Sequence, residues 1–391
     1  MKITDDIFYV GVDDKEIDLF EGQFKVENGM SYNSYVFLDE KTAVFDSVDE
    51  RFGKQWLDNV EKVLDGKSPD YLVVSHMEPD HSGSITAFTK KYPNAKIVSN
   101  EKSFVYMKQF FGIDYSGRKI VVSDGSELNL GKHLISFYSA PMVHWPEVMV
   151  SYDNFSNTLF SADAFGKFGA LDTDEEWDCE ARRYYFGIVG KYGTMVQILL
   201  KKLSSLKIDR ICPLHGPIIE DSVERCVKLY DVWSSYGAES QGVFIAYTSV
   251  YGHTAVAVKK LADALKTYGA PKVSVCDLAR EDMAEAVEGA FRYGTVVFAT
   301  TTYNGSIFPF MNEFITHLTE RNFSNKKVAF IENGTWAPVA EKCMRKMLEK
   351  CKNLSVCNTV VTIKSALAEE NVGQIDSLAK ELCADFITSS F

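Results

Sequence analysis

The run VVSHMEPDHSGS, residues 73–84, constrains this chain more than any other feature. It sets His76, Glu78, Asp80 and His81 side by side, directly after the apolar segment YLVV. That segment reads as a buried strand ending at Ser75. Beyond it, residues 76, 78 and 80 alternate in an extended loop and project the same way, with His81 turning in beside them. Two imidazoles and two carboxylates aimed into one pocket do not serve core packing. Buried carboxylates are costly unless paired or metal-bound, and a borderline transition metal accepts mixed nitrogen and oxygen ligands. The run predicts a metal site.

Further ligands are sought at the ends of other apolar strands. His144 lies in LISFYSAPMVHWPE after a strand-like alternation, Asp163 closes NTLFSADAF, and His215 lies in DRICPLHGP before a Gly-Pro turn. The set is then four histidines and the carboxylates Glu78, Asp80 and Asp163, too many for one tetrahedral zinc. It suits two metals sharing one carboxylate, with Asp163 as the natural bridge. His133, in an expected strand, and His317, in the helix-like MNEFITHLTE, read as ordinary hydrogen-bonded histidines.

This ligand pattern resembles the metallo-β-lactamase superfamily, whose loop reads H-x-H-x-D-H followed by a distal His, Asp and His. Here Glu78 replaces the second His, giving H-x-E-x-D-H, the mark of the flavodiiron proteins. The resemblance implies iron; ligand softness alone also allows manganese or zinc. It further implies His76, Glu78 and His144 on one iron, Asp80, His81 and His215 on the other, and Asp163 between them. By loose similarity Tyr192, in GKYGTM, is a hydrogen-bond donor to a bound intermediate. Trp145 either shapes the pocket, meets a partner subunit's flavin, or is a core aromatic.

A second module opens at Gln241. GVFIAYT reads as a strand, SVYGHT as a loop, and AVAVKKLADALKTYG as an amphipathic helix. A hydroxyl- and glycine-bearing loop at a helix N-terminus binds phosphate. Neither the P-loop nor the G-x-G-x-x-G pattern is present, which favours a monophosphate over a triphosphate or pyrophosphate. Four more strand–helix pairs follow: KVSVCDL with 281–291, TVVFATT with 309–321, KKVAFIEN with 338–351, and SVCNTVVTI with 370–387. Five such units predict a doubly wound parallel sheet, whose ligands lie beyond the carboxyl ends of the strands. The loops there are Thr248, Ser249, Val250, Tyr251, Gly252, His253 and Thr254; Thr301, Thr302, Tyr303, Asn304 and Gly305; and Asn333, Gly334, Thr335 and Trp336. A phosphate loop with Tyr303 and Trp336 nearby resembles flavodoxin, in which such an aromatic stacks on the flavin of FMN.

The resemblance therefore covers the whole chain. The expected fold class is α/β: a metallo-β-lactamase-like αββα sandwich over 1–240, then a flavodoxin-like domain over 241–391. Its implied activity is that of a terminal oxidoreductase. Electrons pass from a donor such as rubredoxin through FMN to a non-heme diiron site, which reduces dioxygen to water, nitric oxide to nitrous oxide, or both. A head-to-tail homodimer, or a dimer of such dimers, is implied too, bringing one subunit's flavin to the other's metals.

Composition agrees with two ordinary domains, since 391 residues with 46% hydrophobic content supply two cores. No uncharged apolar span of membrane length occurs, and MKITDDIFYVGVDD lacks a signal-peptide pattern, so a soluble cytoplasmic protein is expected. The eight cysteines show no C-x-x-C spacing, which argues against an appended rubredoxin-type site and against a disulfide framework. A net charge of −12 argues against nucleic acid as a partner. Two rivals remain. A dizinc hydrolase would leave the flavin loops without a use, and a flavodoxin-like carrier would leave the ligand set without one.

Overall fold

The computed structural model describes residues 1–388. They fall into two compact units that part between Asp231 and Val232, within the helix Val223–Ser234. The parting precedes the expected boundary at 240. Asn325 Nδ2 donates to Ser235 O, and Lys326 Nζ to Gly237 O, which ties that segment into the second unit.

In the first unit, one sheet comprises β1 (Ile7–Tyr9), β2 (Tyr35–Phe37), β3 (Ala43–Phe45), β4 (Tyr71–Val73), β5 (Lys96–Ser99) and β6 (Lys119–Val121), adjacent in chain order. From β3 onward the pairing is parallel, which requires crossovers. The helices Gly53–Leu64 and Glu101–Phe111 are among them. Helix Gly53–Leu64 buries Gly53, Trp56, Val60 and Leu64 on one stripe. The second sheet runs β7 (Glu127–Asn129), β8 (Leu134–Ser139), β9 (Met149–Asp153), β10 (Thr158–Phe160) and β11 (Arg210–Cys212). One apolar cluster draws on both sheets, including Phe37 and Phe45 from one and Phe137 and Phe160 from the other. The Phe45 and Phe160 rings lie 5.0 Å apart. Tyr35, Val36 and Phe37 are all buried, as expected of a strand covered on both faces. This is the αββα sandwich.

The second unit holds β12 (Ser240–Tyr247), β13 (Val273–Asp277), β14 (Tyr293–Tyr303), β15 (Lys327–Asn333) and β16 (Ser355–Ile363). All pairs are parallel, in the order β13-β12-β14-β15-β16. Connections leave β12 on opposite sides, so the switch point lies between β12 and β14. The five helices appear as expected, with shifted ends: that expected at 338–351 spans Ala340–Leu348. One element was not foreseen. Ser306–Ile307 folds back on the end of β14 through Asn304 and Gly305, both at positive φ. An Asn-Gly pair is the usual signal for such a tight hairpin.

Candidate metal centre and ligand pocket

The metal loop leaves β4 and is fixed before any ligand is considered. Ser75 N donates to Asp46 Oδ1 at 2.6 Å, Ser82 Oγ to Met77 O at 2.9 Å, and Ser47 N and Oγ both to His81 O. The loop is not extended throughout. Pro79–Ser82 forms a short helical turn with Pro79 at its first position and Glu78 preceding it. Proline suits that position because it has no N–H to leave unpaired. Asp80 and His81 are therefore brought inward by a helical turn, not by strand alternation.

All seven expected ligands converge. His76, Glu78, His144 and Asp163 present ligand atoms within 4.8 Å of one another, and Asp80, His81 and His215 form a second such group. Asp163 faces both. Its Oδ2 lies 3.3 Å from His76 Nε2 and 3.2 Å from His144 Nε2, while its Oδ1 lies 3.3 Å from His81 Nε2 and 3.8 Å from His215 Nε2. Glu78 Oε2 is 3.2 Å from His76 Nε2 and 3.0 Å from His144 Nε2. Asp80 Oδ2 is 3.3 Å from both His81 and His215. His133 instead bonds Asp153, and His317 lies in helix Pro309–Glu320 beside Glu313; neither joins the cage.

The cage fits cations. The carboxylate oxygens of Asp80 and Asp163 are buried and accept no hydrogen bond, an arrangement that is costly without a counter-charge. His215 Nδ1 donates to Ser31 O at 2.7 Å, so its Nε2 lone pair faces inward, 3.0 Å from His81 Nε2. Without metal the imidazoles supply the charge. Burial disfavours the charged form of His144, but Asp163 and Glu78 prevail and push its pKa up to about 9. His76 is raised as well: burial opposes the charge, and Asp163, Glu147 and Glu78 outweigh it. Asp163 is held well below the usual carboxylate range, its burial overcome by His76, His144 and His81. Entering cations must displace these protons.

Two residues beside the cage were not singled out from sequence. Glu147, buried, accepts from His76 Nδ1 at 2.8 Å and from Met77 N at 2.9 Å. Tyr184 is fully buried, its ring 5.5 Å from that of His215, with no hydrogen-bond partner for its hydroxyl. Burial, then the charges of Asp163, Glu78 and Asp80, push that phenol well above its ordinary pKa. A π-helical turn, Tyr185–Val189, follows directly, and such turns gather at functional sites. Tyr192, the expected donor, is only half-buried on the turn Gly190–Tyr192, with Lys191 5.9 Å over its ring. Among the described residues no hydrogen bond or ring contact ties it to the cage, whereas the ring of Tyr184 stands against that of His215. Trp145 stands edge-on to His76 at 5.3 Å, so it is a wall of the cage.

In the second unit, the three loops at the carboxyl ends of β12, β14 and β15 line one cavity of about 660 Å³, joined by Ala337, Val339 and Ser365. Of the residues named from sequence, Thr248 and Gly252 do not line it. Thr248 is buried beneath, bonded to Thr300 at 2.6 Å, and Gly252 turns the loop at φ +88. Ser249 Oγ accepts from Ala255 N, fastening the loop to helix His253–Thr267, whose N-terminus carries the partial positive charge that attracts phosphate. Gly334 is required where it stands, because a Cβ would come 2.8 Å from Pro338 Cα. At the rim, Trp336 and Tyr251 expose 91% and 89% of their surfaces. Large rings so exposed mark a binding face.

Comparison with known proteins agrees with both halves. Residues 30–216 match the model of the ODP family beta lactamase, and residues 244–372 that of a flavodoxin domain. The chain is 28% identical to a nitric oxide reductase of Moorella thermoacetica, over 98% of each protein. Among solved structures it resembles rubredoxin oxygen:oxidoreductase from Desulfovibrio gigas, with a TM-score of 0.91 at 25% identity, covering 99% of this chain and 98% of that one. It also resembles a variant of the flavo di-iron protein from Thermotoga maritima, with a TM-score of 0.86 at 26% identity, covering 97% and 96%. Among the described residues no helix is long and apolar enough to cross a membrane.

Proposed function

We propose that this chain, which belongs to the flavodiiron protein family, reduces a diatomic gas, dioxygen to water or nitric oxide to nitrous oxide, with electrons delivered through FMN to two irons. One observation carries the reading: a cage of two ligand groups facing the two oxygens of Asp163 shares a chain with a flavodoxin-type cavity. His76, Glu78 and His144 would hold one iron, Asp80, His81 and His215 the other, with Asp163 facing both. Glu78 offers a harder ligand than the imidazole usual at its place, and the choice of iron over zinc or manganese rests on the family resemblance.

When bound, FMN supplies electrons singly or in pairs, and the irons bind and reduce the gas. The chain's own groups position and exclude. Loop 249–254 with the N-terminus of helix His253–Thr267 takes the phosphate, and Trp336 covers the flavin ring. Phe20 and Tyr184 pack against the ring of His215 and keep that side of the cage dry. Tyr184, held protonated by its surroundings and lacking an acceptor in the protein, donates its hydroxyl proton to a hydrogen bond with the bound gas. The proposal extends to rubredoxin or a similar carrier as donor, and to the head-to-tail homodimer that the resemblance implies.

The test is composition. Flavin absorption bands with about two irons per chain are expected in the pure protein. Zinc without flavin would instead support a hydrolase, and flavin without metal an electron carrier.

A further inference from the structure

The geometry points to two metal positions of unequal strength, the His76 half binding its cation more tightly, with Glu147 as the positioning residue responsible. This rests on the two-metal reading of the cage. All four imidazoles turn Nε2 inward, but what stands behind the rings differs. Behind His76 is a carboxylate whose side chain is wholly buried, 2.8 Å from Nδ1. Met77 N donates to the same oxygen, and the other, Oε2, is buried without a hydrogen bond. Behind His215 is a neutral carbonyl, Ser31 O. His81 Nδ1 has no hydrogen-bond partner. An anion behind a ligating imidazole fixes its tautomer and makes its inward nitrogen a stronger donor, whereas a carbonyl does so less.

A charge farther out tilts the cage the same way. The His215 half has a buried cation nearby. The stem of Lys167 lies on the backbone of Gly216, next to His215, where an added Cβ would meet Lys167 Cγ at 2.7 Å. The Lys167 ammonium is 3.7 Å from Glu175, a carboxylate one-third exposed to solvent, and it makes no hydrogen bond. A buried ammonium is thus weakly offset and opposes a second cation there. Glu147 also follows His144 by three residues, so one loop brings both a ligand of the His76 half and the anion that orients His76.

The test uses cobalt(II) alone, titrated without oxygen into the metal-stripped, flavin-loaded full chain and followed by calorimetry and by the visible bands of cobalt. Two steps of distinct affinity are expected. His215→Ala should keep the tighter step and His144→Ala lose it. Glu147→Gln has nearly the same shape without the charge, and should weaken the tighter step by about 10- to 100-fold while leaving the weaker one in place. If Glu147→Gln loses its fold, judged by circular dichroism and flavin content, Glu147→Asp takes over the test. It keeps the charge at shorter reach and should also weaken the tighter step alone. Equal affinities in the native chain, or an unchanged tighter step in the Glu147 variant, would overturn the inference. Fewer than two cobalt ions per native chain would contradict the two-metal reading instead.

Discussion

Replacing Asp163 with Asn removes gas reduction and at least one metal while leaving the flavin bound. Among the described residues, Asp163 is the one side chain whose two oxygens face the two ligand groups. An amide of the same shape keeps a single oxygen acceptor, carries no charge, and turns an NH₂ toward one half of the cage. Two cations then share two carboxylates where they had three. Loss of an outer partner of a metal ligand already costs about 10- to 100-fold in affinity or activity, so loss of the bridge should exceed the upper end of that range. The cavity at β12, β14 and β15 lies wholly in the other unit, and flavin content should not move. Metal analysis with a gas-consumption assay decides the matter. Full metal occupancy with native turnover would sink the bridging role.

Trp336→Ala should release FMN about 10- to 100-fold more readily, since stacking a base-sized ring on an aromatic side chain contributes about 1–3 kcal/mol. Trp336 is the most exposed large apolar side chain of the described residues, at 91%, yet lines the cavity. Nothing in the protein packs against most of its surface, so truncation removes ligand contact and little of the fold. Trp336→Phe should recover much of the affinity. Ile198→Ala, an exposed apolar residue in the other unit, should leave it unchanged. Fluorescence titration of the flavin-free protein reads all three. Native affinity in Trp336→Ala would show that the ring does not cover the flavin.

How far the sequence could be read depended on whether a feature is local. The parallel sheet of the second unit was legible because each strand is a continuous apolar run followed by an amphipathic helix, and burial on both faces demands that composition. His76, Glu78, Asp80 and His81 were legible because four ligand-type residues within one loop have no packing purpose. The way they converge was not. Alternation fails after Glu78, because Pro79 favours a helical turn and Ser47, distant in sequence, holds His81 O. Glu147 carried no signal, since a lone Glu after Trp-Pro is usually solvated, and only the fold sets its carboxylate behind His76. Tyr184 was hidden likewise in a run of aromatic residues. Its distinction from Tyr192 is a matter of which one the helix Trp177–Tyr184 carries to the ring of His215. The hairpin at Asn304 and Gly305 has a local signal, but the same residues also suit a ligand loop.

The central claim is that electrons leave the flavin through the metal cage. The measurement closest to it is the rate at which reduced flavin in the full chain is reoxidised by dioxygen or nitric oxide, with metals bound and after their removal by chelation. Fast reoxidation only with metals bound, and no release of hydrogen peroxide from dioxygen, is the predicted result. Equal rates in the two forms, or peroxide as the main product of the metal-loaded protein, would contradict it.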